Sequence, residues 1–298
     1  MQQEEIQQVT PLVRRITAAN PSVFTGPGTN TYLVGNEEDV TVIDPGPALA
    51  KHIDAITESS ENLARILVTH THPDHSPGVK LLQDKIDIPA YGFITKTTEN
   101  QDPSFKPEKI LSHGEVIKRD GYSLEVIHTP GHASNHLCYL LLEEKLLFTG
   151  DHIMNGSTVV ISPPDGNMQD YLDSLEKLKN YDLKNIAPGH GELLPNPHSV
   201  ADWIIDHRLE RENKVLNAIK EAGSGNPDSL VKAVYDDVDA SLFPIAKWSL
   251  EAHLIKLEAE KGKLHLIEAV LDKIDIVFDG ADQIDKEKNL IKGGGGAL

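Results

Sequence analysis

The stretch RILVTHTHPDHSPG, residues 65–78, runs from an apolar segment straight into three histidines and an aspartate held within six positions, His70, His72, Asp74 and His75. A solvated loop has no need of such groups at the mouth of a strand, and a core cannot bury them unpaired. In an extended segment side chains alternate, so His70 and His72 share one side and can chelate one ion, while Asp74 and His75 on the following turn point to a second. Even with 14 histidines in 298 residues, chance produces an HxHxDH at on the order of one in 10⁵ starting positions.

Four further β-rich runs end in the same manner: VTVID at Asp44, LEVIHTPGH at His132, KLLFTGD at Asp151 and NIAPGH at His190. As strands of one layered α/β structure pointing the same way, they bring their carboxyl ends to a common edge, where sites in such sheets lie. Imidazole and carboxylate donors with few thiolates suit zinc, and two ions are the simplest count. Asp151, with two carboxylate oxygens, suits a bridging position, and His132 and His190 complete one donor set each. Asp44 is expected to support a liganding histidine rather than bind metal. His136, in GHASNH, reads either as a donor to a substrate oxygen or leaving group, or as support for a ligand. His113, His128, His198, His207, His253 and His265 follow no strand-end pattern and read as surface or packing residues.

A net charge of −18 is far from that of a protein whose affinity comes mainly from neutralising phosphates, which disfavours nucleic acid except through a local basic patch. The single cysteine, Cys138 in the apolar run LCYLLL, cannot close an internal disulfide and reads as a buried structural thiol in a reducing compartment. No run approaches the ~20 apolar residues of a membrane span, and the N-terminus lacks the continuous apolar core of a secretory signal, so a cytoplasmic protein is expected. Oligomeric state leaves no mark in the sequence.

Short strand-like and helical segments alternate from residue 31 to about 190, as in α/β folds. From about 198 the period becomes helical, with three amphipathic stretches followed by LHLI, which suggests a small helical domain closed by a β-wing. The predicted division is 1–197, 198–266 and a third segment, 267–298, that ends in four glycines and two residues with no room to complete a domain.

HTHPDH, TPGH, FTGD and PGHG, in that order and at these intervals, resemble the metal-binding motifs of the metallo-β-lactamase superfamily. GPGTNTYLVG, SPPDGNMQDYLDSLEKL and the helical region after 198 resemble more specifically the beta-lactamase-like protein 2 group, with its winged-helix-like tail. The resemblance covers about residues 10–266. It implies a four-layer αββα sandwich, with His70, His72 and His132 on one metal, Asp74, His75 and His190 on the other, and Asp151 between them. Two Zn²⁺ are the implied cofactors, with Fe or Mn as substitutes. Water held between such cations is a nucleophile at neutral pH, and Asp74 is placed to orient it as well as to bind metal. By the same resemblance Asn30 in GTNTY faces the site or, equally, stabilises a turn.

The subgroup resemblance implies an endoribonuclease acting on single-stranded RNA, the first expectation, against which the net charge stands. Hydrolysis of a small acyl compound, a thioester of the glyoxalase II kind, a lactone or a β-lactam, is the second. A single-iron sulfur dioxygenase, which shares HxHxDH, is a third, of another class. FDGADQIDKEKNLIKGGGGAL resembles a fragment of ribose-5-phosphate isomerase A, with Asp279, Asp282 and Lys292 at matching positions and Gln283 where an acid is usual. The sugar-phosphate loop and the glutamate that isomerisation needs as general base are missing, so this segment is expected to be a non-functional remnant.

Overall fold

Along Asn30–Gly35 the side chains of Tyr32 and Val34 enter one core and that of Leu33 another, and Tyr139 and Leu141 alternate in the same way with Cys138 and Leu140. Period-two alternation of apolar residues on both faces marks strands buried between two layers. In the computed structural model, which describes residues 4–97, 100–222 and 227–261 and the backbone of 283–284 and 290–291, these strands belong to two facing sheets.

The first sheet runs in order β1 (Gln7–Thr10), β2 (Val13–Thr17), β3 (Asn30–Gly35), β4 (Val40–Ile43), β5 (Leu63–Leu67), β6 (Ala90–Gly92) and β7 (Lys109–Ile110). Its early strands are antiparallel; from β4 onward the pairing is parallel. Helix α1 (Ala50–Glu58) makes the crossover from β4 to β5, and α2 (Gly78–Gln83) follows β5. The second sheet comprises β8 (Val116–Arg119), β9 (Tyr122–His128), β10 (Leu137–Leu141), β11 (Leu146–Gly150), β12 (Asn185–Pro188) and β13 (Leu194–Pro195). It is antiparallel apart from β11 and β12, which are parallel and joined through α3 (Met168–Leu178).

Three cores result. Tyr32, Val34, Ile43 and Leu67 of the first sheet meet Leu124, Val126, Tyr139 and Phe148 of the second. The outer face of the first sheet is covered by Ile53 and Ile56 of α1 and Val79 and Leu82 of α2. The outer face of the second is covered by Tyr171, Leu172, Leu175 and Leu178 of α3 and by Ala201 and Ile204 of α4 (Pro197–Ala222). This is the αββα sandwich expected from the sequence, and each fully buried Leu, Ile or Phe in it contributes about 1.5–3 kcal/mol. The spacing of α3 puts its apolar residues on one stripe, and the Asn167 side chain caps its start by accepting from the Asp170 amide at 3.1 Å.

Helix α4 spans the junction expected at 198. Its first half packs on the sandwich; Val215 and Ile219 of its second half join α5 (Pro227–Val234) and α6 (Phe243–Lys261) around Leu230, Val234, Leu250 and Leu254 in a separate small core. The expected wing at LHLI, His265, and the side chains of Asp279, Asp282, Gln283 and Lys292 lie outside the described residues; β14 (Gln283–Ile284) and β15 (Leu290–Ile291) pair antiparallel. No helix among the described residues is long and apolar enough to cross a membrane.

Candidate metal centre

The parallel pairs β4–β5 and β11–β12 point their carboxyl ends at one edge of the sandwich, and there the chain delivers Asp44, His70, His72, Asp74, His75, Asp151 and His190, with His132 from the loop after β9. Two of the approaching loops come close enough to need glycine. A Cβ on Gly131, at φ +138°, would lie 2.3 Å from the Tyr171 backbone, and one on Gly189 would lie 2.7 Å from Asp151 Oδ1. The glycines of TPGH and APGH thus let His132 and His190 reach the centre.

His70 Nε2 and His132 Nε2 each lie 3.0 Å from His72 Nδ1. Three ring nitrogens at this separation match the roughly 3.3 Å edge of a tetrahedron about zinc with Zn–N near 2.05 Å. In the second set His75 Nε2 and His190 Nε2 stand 3.3 and 3.2 Å from Asp74 Oδ2, and 3.2 and 3.1 Å from Asp151 Oδ1. The other oxygen, Asp151 Oδ2, is 3.7 Å from His132 Nε2, so this one carboxylate faces both sets.

The tautomers are fixed from behind. His132 Nδ1 donates to the Val160 carbonyl at 2.7 Å, His190 Nδ1 to that of Gly28 at 3.2 Å, and His75 Nδ1 to Asp44 Oδ2 at 2.9 Å. The Thr69 hydroxyl donates to Asp44 Oδ2 at 2.6 Å and accepts from His70 Nδ1 at 3.0 Å. Each ring therefore turns its second nitrogen into the centre, an arrangement that orients metal ligands. Asp44 also accepts from the Thr69 amide at 2.7 Å, and its φ of +50° is a conformation that Asp and Asn tolerate better than most residues. Its carboxylate supports His75, as the sequence suggests.

Burial pushes His70, His72 and His132 toward the neutral form, His72 down to about 3. Burial opposes charge on His75 and His190 as well, but Asp74 and Asp151 facing them raise both, His190 to about 10. Asp74 and Asp151 are in turn held well below the usual carboxylate range, against their burial, by His75 and His190. Carboxylates and imidazoles packed this tightly, with His75 Nε2 and Asp151 Oδ1 buried and lacking hydrogen-bond partners, form a donor set that fits cations.

His136 is wholly buried and lies outside the cavity wall. Its ring stacks on His70 at 5.0 Å, and Nδ1 is hydrogen-bonded to the Thr129 hydroxyl at 2.9 Å. That placement fits support of His70 and gives no route to a substrate oxygen. Asn30 is also buried; its amide donates to the carbonyls of Pro188 and Gly191 at 3.0 and 2.9 Å and so pins the loop that carries His190, instead of facing the cavity. Of the remaining histidines, His113 is exposed, His207 stacks on Trp203, and His253 is buried beside Glu212. Cys138 is fully buried, which pushes its thiol up to about 12.

The centre opens into a cavity of about 620 Å³ walled by His72, Asp74, His132 and His190 on one side and by Phe24, Val160, Pro163, Pro164 and Trp248 on the other. Phe24 and Trp248, from opposite ends of the chain, stack with centroids 6.4 Å apart and rings 15° from parallel. No Lys or Arg lines this cavity among the described residues, whereas Asp165 and Glu251 do. Sequence reasoning missed Thr69 and Thr29, whose hydroxyl donates to Asp74 Oδ2 at 2.9 Å, and missed Phe24 and Trp248, which only the tertiary fold brings together.

The chain matches the metallo-beta-lactamase superfamily model over residues 24–190, the beta-lactamase associated winged helix domain over 227–262, and ribose 5-phosphate isomerase A over 252–298. A beta-lactamase-like protein 2 homolog from Drosophila melanogaster is 32% identical, over 88% of this chain and 92% of the relative. An atrochrysone carboxyl ACP thioesterase from Aspergillus chevalieri is also 32% identical, over 74% of this chain and 70% of the relative. The crystal structure of a metallo-beta-lactamase family protein from Thermus thermophilus superposes with a TM-score of 0.71 at 20% identity, over 84% of this chain and 94% of that one, a likeness of fold. With two donor sets at the shared edge of an αββα sandwich and these matches together, the chain belongs to the metallo-beta-lactamase superfamily.

Proposed function

We propose that the protein is a hydrolase of acyl thioesters that works with two zinc ions, held by His70, His72 and His132 and by Asp74, His75 and His190, with Asp151 shared. The observation that carries this is the wall of the cavity: aromatic and proline surface with acidic side chains, and no Lys or Arg among the described residues, where a phosphodiester backbone would need cations on either side of the cut. RNA stands first by resemblance in sequence; the lining of the cavity supports the acyl reading over it. Thioesterases among the relatives lend support.

Bound zinc supplies a nucleophile at neutral pH and polarises the scissile carbonyl. Asp74 faces the cavity and is held in place by Thr29, so its carboxylate can accept a hydrogen from the attacking water. Phe24, Trp248 and Val160 exclude bulk water and orient the acyl compound by contact. In the balanced reaction the water oxygen bonds to the acyl carbon, the carbon–sulfur bond breaks, and the proton lost by the water neutralises the departing thiolate.

The test sets the zinc-loaded full chain against an acyl N-acetylcysteamine thioester and single-stranded RNA, each with His72→Ala as control. Thioester turnover lost in His72→Ala, with RNA intact, supports the proposal. RNA cleavage lost in His72→Ala, with the thioester stable, overturns it.

A further inference from the structure

Beyond the main cavity, a second chamber of about 340 Å³ runs between the sandwich and the helical domain. The two share Phe24, His132, Asp151 and Val160, so the chamber branches off at the metal centre itself. Its far wall is apolar, with Val238, Leu242 and Ile245, but it also contains Arg208, Arg211 and Tyr235.

Arg208 is the unusual member. It is only 4% exposed, donates from Nη2 to the Val159 carbonyl, and lies with its guanidinium 5.5 Å from the Tyr171 ring centre. No carboxylate pairs with it among the described residues, and its Nε is buried without a partner. Arg211, three residues on, differs in being tied to Asp237 at 2.7 Å. The Tyr235 hydroxyl, on the same chamber, is likewise buried without a hydrogen bond. An unpaired buried cation and an idle hydroxyl are costly in an apolar setting unless an anion meets them.

We propose that this chamber is the acyl subsite, and that it takes an acyl group ending in a carboxylate that pairs with Arg208 and accepts from Tyr235. The assignment deepens the thioesterase proposal and rests on it. A cavity of about 150 Å³ holds a benzene ring, so this chamber admits an acyl chain of roughly a dozen heavy atoms. The leaving thiol then lies in the main cavity, past Phe24 and Trp248, where no cation competes for the carboxylate.

The test is calorimetric binding to the zinc-loaded full chain of monomethyl glutarate and of methyl pentanoate, which match in length and differ in the carboxylate. Preference for the charged ester that falls roughly tenfold to a hundredfold in Arg208→Gln, as for a lost charge-assisted hydrogen bond, supports the subsite. Because Arg208→Gln removes a buried contact, Tyr235→Phe, which keeps the ring, and Ala246→Phe, which fills the chamber, are measured beside it. Weaker binding in both supports the assignment. Equal binding of the two esters, a preference that survives Arg208→Gln, or Arg208-dependent binding of inorganic phosphate in place of monomethyl glutarate overturns it. Arg208-dependent binding without hydrolysis of glutaryl thioester keeps the subsite and removes the thioesterase proposal instead.

Discussion

Asp44→Asn separates the two donor sets. The Asp44 carboxylate receives three donors on two oxygens, the Thr69 amide at 2.7 Å, the Thr69 hydroxyl at 2.6 Å and His75 Nδ1 at 2.9 Å. Asparagine has one acceptor oxygen, so its NH₂ must face at least one of these donors. Asparagine tolerates the left-handed backbone that Asp44 adopts at φ +50°, so the chain itself is not strained and the effect belongs to the side chain. His75 loses the partner that fixes its tautomer, and the removal of such a partner costs about 10- to 100-fold in metal affinity. His70 is linked to Asp44 only through the Thr69 hydroxyl, so its set is expected to change by less than about threefold, below about 0.7 kcal/mol. Competition titration with a chromophoric chelator resolves the two sites. The expected record is one weakened site and one nearly unchanged. Two unchanged sites, or two weakened alike in a protein that remains folded, refute the role given to Asp44.

Gly189→Ala places a Cβ 2.7 Å from Asp151 Oδ1 and 2.8 Å from the His75 ring; loss of zinc from the centre with only a small change in melting temperature is expected, read by elemental analysis. Trp248→Ala opens the aromatic wall of the cavity and is expected to raise KM for an acyl thioester several-fold while metal content stays unchanged, measured by steady-state kinetics. Asp39 is held below the usual carboxylate range, against burial, by Arg65 and Arg119. Its folded pKa is depressed, so its stabilising contribution is present above the ordinary Asp value of about 3.9 and is lost as pH falls through the folded value. Denaturant melts of Asp39→Asn should therefore differ from those of the parent at pH 7 and converge toward them in acid; a gap that widens on acidification contradicts this. The full chain is expected to show no ribose-5-phosphate isomerisation, checked by a coupled ketose assay.

The centre was legible in the sequence because each ligand falls in the segment that follows a strand, and strands of one sandwich have few places to end. Alternating strand-like and helical runs gave an α/β fold, the four layers came from the resemblance of the motifs to the metallo-β-lactamase superfamily, and HxHxDH, TPGH, FTGD and PGH gave the donors without need of packing detail. What could not be read was whatever depends on side chains from distant segments meeting. His136 reads in sequence either as a substrate contact or as support for a ligand, and only its burial under His70 favours the second. Asn30 in GTNTY reads by resemblance as facing the site or, equally, as stabilising a turn, and its amide goes to the Pro188 and Gly191 carbonyls. Phe24 and Trp248 carry no local pattern at all, yet they stack on one wall of the cavity. Net charge pointed away from RNA, though only the cavity shows where the cations are and are not.

The central claim, two cations seated by these side chains, is met most directly by anomalous diffraction from zinc-loaded crystals. Two peaks are expected, one ringed by His70, His72 and His132, the other by Asp74, His75 and His190, with Asp151 reaching both. A single peak, or peaks away from these side chains, contradicts it.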